Sequence, residues 1–328
     1  MSQAQHRAVR LNKSGGPEVL ELHSVPTPNP GPGEIRVKHA AIGLNFIDIY
    51  QRDGLYPLTF PTGLGLEAAG TVEAAGPGVS RFAVGDRVAY ANGPVGAYAD
   101  VHVVPAERAV AIPIGIDFDV AAAALLKGMT AEMLLRRVFH VKQGDVILAH
   151  AAAGGVGLIL TQWARALGAT VIGTVGDEAK AELALANGCD HVILYDREDV
   201  AARVKAITGG QGVHVVYDSV GAATLEASLA SLRRRGMLVS FGNASGPVPP
   251  IAPLRLSRGG SLFLTRPTLF DYVATVQELD ASAQALFEVI ESGAVKVRIG
   301  QTFPLERVAD AHRALQARAT TGSTLLIP

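Results

Sequence analysis

The 328-residue sequence has one cysteine, Cys189, so it carries neither a disulfide framework nor a cysteine-built zinc site. It has no excess of either charge, with 29 Lys plus Arg against 30 Asp plus Glu. That balance removes the electrostatic basis for nucleic acid or an anionic membrane surface as the main partner. The opening stretch MSQAQHRAVRLNK lacks an apolar segment of signal-peptide type, and no uninterrupted apolar run reaches membrane-spanning length. Internal repeats and low-complexity tracts are also missing. Charged residues make up only 18% while hydrophobic ones make up 48%, which excludes a disordered chain. A soluble, cytoplasmic protein is expected, long enough for two domains.

What is present changes in texture along the chain. Up to about residue 125, short β-like runs such as EIRVKHAAIGL, EAAGTVEAAG and DRVAYA are broken by PTPNPGPG, GPGVS and NGPVG. Dense Gly/Pro punctuation between short strands predicts a mainly β domain. From about 127 to 264, six apolar runs (VILAH, TVIGTV, HVILY, VHVVYD, MLVSFG, SLFLT) alternate with helical spacing. That alternation predicts an α/β, doubly wound parallel sheet. Two more helical patterns and a terminal strand, STLLIP, follow and are expected to return to the first domain.

The junction after the first of these runs reads HAAAGGVG. Ala152, Gly154 and Gly157 form A-x-G-x-x-G between the strand Val146 to Ala149 and a helical face marked by Val156, Leu160, Trp163, Ala164 and Leu167. A pyrophosphate must rest on bare amides at a helix N-terminus, here Gly154, Gly155, Val156 and Gly157, where a β-carbon would hold it off. The motif alone is weak; flanked by strand and helix, it favours a dinucleotide over an empty tight turn.

Which dinucleotide is decided at the end of the second strand. An NAD-preferring protein places Asp or Glu there to bond the ribose hydroxyls. This sequence has Gly176, with Asp177 one position later as the expected N-cap of the helix Glu178 to Asn187. A missing carboxylate leaves room for a ribose phosphate, and Lys180, one turn on, is placed to neutralise it or to sit in solvent. NADPH is the expected cofactor.

With these residues in view, the chain resembles the quinone oxidoreductase (zeta-crystallin) branch of the medium-chain dehydrogenase/reductase superfamily. The stretches that carry the resemblance run almost end to end: GGPEVLEL, AIGLNFIDIYQRDGLYP, GLGLEAAGTV, GDRVAY, LLKGMTAEMLL, HAAAGGVG, VVYDSVG, LVSFGNASG, LTRP and RATTGSTLLIP. The resemblance implies a GroES-like catalytic domain over 1–126, completed by about 268–328. It also implies a Rossmann domain over 127–267, a cleft between the two, NADPH and a homodimer in which SLFLT pairs across a two-fold axis.

Zinc alcohol dehydrogenases of that superfamily place a cysteine where this chain has Asn45 and a histidine where it has Leu66, ahead of Glu67. An amide and an isobutyl group do not ligate zinc, so no metal is expected. Without a Lewis acid, the substrate must itself be electrophilic: a quinone, or an alkene conjugated to a carbonyl. Its reduced form then needs hydrogen-bond donors around the oxygen that gathers charge. The resemblance puts Asn45, Asp48 and Tyr56 beside the nicotinamide. Asn45 is read as orienting substrate or cofactor, Tyr56 as bonding or stacking on a flat ring, and Asp48 as holding the loop. A turn Asn, a buried core Tyr and a capping Asp are the structural alternatives. By position, the resemblance adds further cofactor contacts: Thr130 (or else a helix-start threonine), Ser219, Phe241, Gly242, Asn243, Leu264, Thr265 and Arg266. Tyr195 and Arg318 would join Lys180 around the ribose phosphate. An NADPH-dependent quinone reductase is the leading reading. An alkenal or enone reductase is the alternative, and an RNA-binding or structural role ranks below both.

Overall fold

The computed structural model describes residues 4–328. The chain forms two compact units. One takes in the chain through Lys127 together with Val273–Glu291 and Val297–Pro328; the other takes Gly128–Tyr272 and Ser292–Lys296. The helix Phe118–Met133 contributes residues to both. Thr130 therefore lies inside a helix, which corrects the helix-start alternative.

In chain order the strands begin with β1 (Gln5–Arg10), β2 (Glu21–Pro26), β3 (Glu34–Leu44), β4 (Glu67–Ala75), β5 (Arg87–Tyr90), β6 (Val101–Pro105) and β7 (Ala109–Ala111). Next come β8 (Val146–Ala149), β9 (Thr170–Val175), β10 (His191–Leu194), β11 (Val213–Asp218), β12 (Leu232–Ser240) and β13 (Phe263–Thr265). β14 (Ile299–Pro304) and β15 (Ser323–Ile327) complete the set.

The first unit is built on a sheet ordered β14-β15-β3-β4-β5-β7, with β6 also paired to β3 and β1-β2 as a separate ribbon. β3 organises it. Ile35, Val37 and His39 point inward while Lys38 is exposed, the two-residue period of a half-buried strand. Its apolar face packs on Leu64, Val72, Tyr90 and Val104, and on Leu305, Val308 and Leu326 from the C-terminal segment. Each fully buried aliphatic of that group contributes about 1.5–3 kcal/mol. The C-terminal strand β15 joins this sheet by pairing antiparallel with β3. β14 was not expected: RIGQTFP has no apolar run, and the strand exists by pairing in parallel with β15.

The second unit is a six-stranded sheet ordered β10-β9-β8-β11-β12-β13, every pair parallel. Ile147, Leu148, Val171, Ile172, Val215, Val216 and Val239 are fully buried, which is why these strands read as unbroken apolar runs. All six expected strands are present, though β12 starts at Leu232 rather than Met237 and takes in Arg233 to Arg235. From β8 the chain winds outward to β10, then returns to β11 on the other side of β8. The carboxyl ends of β8 and β11 therefore flank the point where strand order reverses, the usual ligand crevice of such a sheet.

Candidate active site

In the second unit the groups offered to a ligand are backbone amides. The turn after β8 is tied to β9 by Ala152 N donating to Thr174 O at 3.1 Å. The helix Gly155–Ala166 starts from Gly154 in extended conformation, with no side chain capping it. Its first intrahelical donor is Leu158, to Gly154 O, so the N–H groups of Gly155, Val156 and Gly157 come before any such bond. Gly157 is required here: a β-carbon would lie 2.3 Å from Ala151 O. The first motif position tolerates Ala152 because β9 gives way opposite it, where a β-carbon on Gly173 would come within 2.7 Å of the Ala152 Cβ. An uncapped helix start of bare amides, closed to side chains, fits a pyrophosphate.

At the end of β9 the side chain that is absent from Gly176 would have met the Tyr195 hydroxyl at 2.8 Å. Gly176 and Tyr195 are therefore brought together. Asp177 is the N-cap: its Oδ1 accepts from Lys180 N at 2.8 Å, and this backbone N–H holds its carboxyl below the usual range. Lys180 Nζ lies 3.2 Å from Asp177 Oδ2. Arg318 belongs to the first unit, in the turn ahead of β15, with φ 57°.

Beyond β11 and β12 two loops interlock. Phe241 N donates to Asp218 O at 2.8 Å, and Ala244 N to Ser219 O at 3.2 Å. Arg266, just past β13, donates from Nη1 to Ser240 O (2.9 Å) and Gly242 O (3.2 Å), so it holds the Phe241–Asn243 loop in place. Leu264 and Thr265 lie in β13, where Leu264 is partly exposed.

Underneath runs a buried relay that the sequence did not reveal. Ser228 Oγ donates to Asp218 Oδ2 at 2.7 Å, so it accepts from His150 Nε2 at 3.0 Å. His150 Nδ1 then accepts from Thr174 Oγ1 at 2.9 Å. Burial pushes the imidazole pKa down, keeping it neutral. Asp218 Oδ1 also accepts from Val220 N and Gly221 N, fixing the turn that carries Ser219.

In the first unit the candidate residues are side chains in a buried cluster. Asn45 follows β3 and opens the helix Phe46–Asp53, and its N–H donates to Asp48 Oδ2 at 2.9 Å. The capping reading of Asp48 thus holds, but the residue also accepts from Tyr98 OH at 2.8 Å. Arg52 Nη1 stands 3.1 Å from His312 Nδ1, and His312 Nε2 stands 3.1 Å from Tyr98 OH. Guanidinium only donates, so the His312 proton is on Nε2 and the phenol proton is left for Asp48. Donation runs one way, from Arg52 through His312 and Tyr98 to Asp48. Burial pushes His312 down to about 3, so the ring is neutral, and pushes Asp48 up to about 7.

Asn45 Nδ2 donates to Glu67 Oε2 at 2.8 Å; Lys127 Nζ reaches the same oxygen at 3.3 Å, and Leu126 N donates to Glu67 Oε1 at 2.6 Å. Glu67 is fully buried and Lys127 nearly so. Tyr56 is only half-buried, edge-on to Tyr50 with ring centres 5.3 Å apart, which corrects the buried-core alternative. Among the described residues no group of three or more His, Cys, Asp or Glu is arranged to hold a metal ion.

Residues 31–114 match the family model for the alcohol dehydrogenase GroES-like domain, and residues 155–288 match that for zinc-binding dehydrogenases. The chain is similar to the quinone oxidoreductase of Pseudomonas aeruginosa, with 54% identity over 323 residues that cover 98% of this chain and 99% of that protein. It is 46% identical to the 2-haloacrylate reductase of a Burkholderia species over 328 residues, 98% of each. Its fold superimposes on the crystal structure of Escherichia coli quinone oxidoreductase complexed with NADPH at TM-score 0.97 and 49% identity, covering 98% and 100%. The chain belongs to the quinone oxidoreductase family of the medium-chain dehydrogenase/reductase superfamily.

Proposed function

We propose that this chain is an NADPH-dependent quinone reductase that transfers reducing equivalents to a quinone without a metal. The observation that carries the reading is the cradle at Gly155–Gly157 with Gly176 at the end of β9, on a chain 50–54% identical over nearly its full length to bacterial quinone oxidoreductases. The amides of Gly155, Val156 and Gly157 hold the pyrophosphate, and Gly176 leaves space for a phosphorylated ribose that Lys180 and Tyr195 recognise. Ser219, the Phe241–Asn243 loop and Leu264 to Arg266 line the strand ends, with Thr130 as a further contact. When bound, the reduced nicotinamide supplies the electrons. Asn45 orients the acceptor, Asp48 fixes Asn45 through its N–H, and Tyr56 presents a half-exposed ring to a flat substrate.

The test is NADPH oxidation against a panel of quinones and 2-alkenals. Turnover with 1,4-benzoquinone at least about tenfold above any alkenal is expected. The reverse order supports the second reading, an enone reductase, which the similarity to 2-haloacrylate reductase favours. No NADPH oxidation with either class overturns both. The reading includes a cytoplasmic homodimer formed along β13, where Phe263 is 54% and Leu264 37% exposed. A monomer in light scattering would remove that part.

A further inference from the structure

Lys127 is the cation that shares a partner with Asn45. It is only 5% exposed, yet its sole hydrogen-bonding partner among the described residues is Glu67 Oε2. An ammonium carries three N–H donors. Two are left without a protein acceptor, and a nearly buried cation with unmet donors is costly unless something else meets them. Glu67 is held rigidly by Leu126 N on one oxygen and by Asn45 Nδ2 and Lys127 Nζ on the other. Amide and ammonium therefore flank the same carboxylate oxygen, so the positive charge stands beside the group assigned to the acceptor.

We propose that Lys127 is a catalytic residue: its ammonium stabilises, and then protonates, the acceptor oxygen that gathers negative charge on reduction. This rests on the quinone-reductase reading. As the acceptor is reduced by NADPH, the product O–H bond forms while one Lys127 N–H bond breaks. The neutral amine left behind regains its proton from solvent, so one solvent proton enters per acceptor reduced. Glu67 is a positioning residue that keeps the ammonium in place and the Asn45 amide turned toward it.

The rival explanation is that Lys127 only compensates the buried Glu67 charge. The full-length variants Lys127→Met, Lys127→Gln and the double variant Lys127→Met/Glu67→Gln separate the two. If Lys127 is catalytic, each variant loses about 10²-fold in kcat with quinone, while the Kd for NADPH, read from nicotinamide fluorescence, stays within about two-fold. The double variant regains the melting temperature lost by Lys127→Met but not the rate. An independent readout needs no turnover: 4-nitrophenol bound to the wild-type protein titrates below its value in solution, and the shift disappears in all three variants. Retention of kcat within about three-fold in the double variant, or an unchanged probe titration, makes Lys127 a counter-ion and overturns the proposal. Should Lys127→Met not fold, the neutral donor in Lys127→Gln and the charge-free double variant decide it. A wild-type enzyme that binds NADPH but reduces no quinone defeats the functional reading instead, and the probe titration still decides Lys127.

Discussion

Around Gly155–Gly157 the polar groups offered outward are backbone amides, placed by one turn between a strand and a helix. Around Asn45 they are side chains, each fixed by another side chain from a distant part of the sequence. The first arrangement depends on what is absent, since a single β-carbon on Gly157 would meet Ala151 O at 2.3 Å. The second depends on side chains meeting across the chain: Arg52, His312, Tyr98 and Asp48 Oδ2 are joined end to end in a buried line. A cradle of the first kind fails when a β-carbon forces the turn at Ala151 and Ala152 to move. A network of the second kind fails by leaving a buried polar group unmet, which costs stability first.

Substitutions should separate the two regions in that way. Gly157→Val closes the cradle, and a fluorescence titration should show NADPH binding weakened by at least about 10²-fold. Near-normal binding would mean that the phosphates lie elsewhere. Tyr98→Phe removes the donor to Asp48 and strands the His312 Nε2–H, so the first unit should lose about 2 kcal/mol in denaturant unfolding. NADPH affinity should not change; a drop in affinity would show that the two regions are coupled. Lys180→Ala should weaken NADPH about tenfold and leave NADH within about two-fold. Equal losses for both would remove Lys180 from phosphate recognition.

The smallest effect is a pH dependence. With Asp48 raised to about 7 in the fold, against 3.8 as its ordinary value, the native state binds a proton that the unfolded chain has released. Its contribution to stability is therefore present below the ordinary value and lost as pH rises toward 7. Asp48→Asn removes that loss, so its melting temperature relative to wild type should climb between pH 4 and 7.5. A difference that stays flat with pH would mean Asp48 titrates as an exposed carboxylate.

The same contrast explains what could be read in advance. The A-x-G-x-x-G turn, the six apolar runs and the Asp177 cap are local, each set by residues within one turn or one strand, so spacing alone exposes them. The relay through His150 joins residues up to 78 apart, and the pairs Tyr98–His312 and Arg52–His312 are 214 and 260 residues apart. No periodicity marks such partners, and each residue alone looks like an ordinary core or surface choice. The helix-start alternative for Thr130 fails for a related reason: KGMT follows an alanine-rich run, and only the full helix Phe118–Met133 shows that it continues through the glycine. β14 escaped notice because its partner β15 supplies the apolar surface that it lacks.

The line from Arg52 to Asp48 has a consequence for synthesis. Its middle member, His312, and the strand β15 that zips onto β3 leave the ribosome only after the whole parallel sheet has been made. Until then the earlier-made region holds an arginine and an aspartate destined for burial with nothing to join them. The Gly128–Tyr272 unit is thus placed to mature ahead of the sequence that precedes it, and its chaperone demand should fall on the older half of the nascent chain.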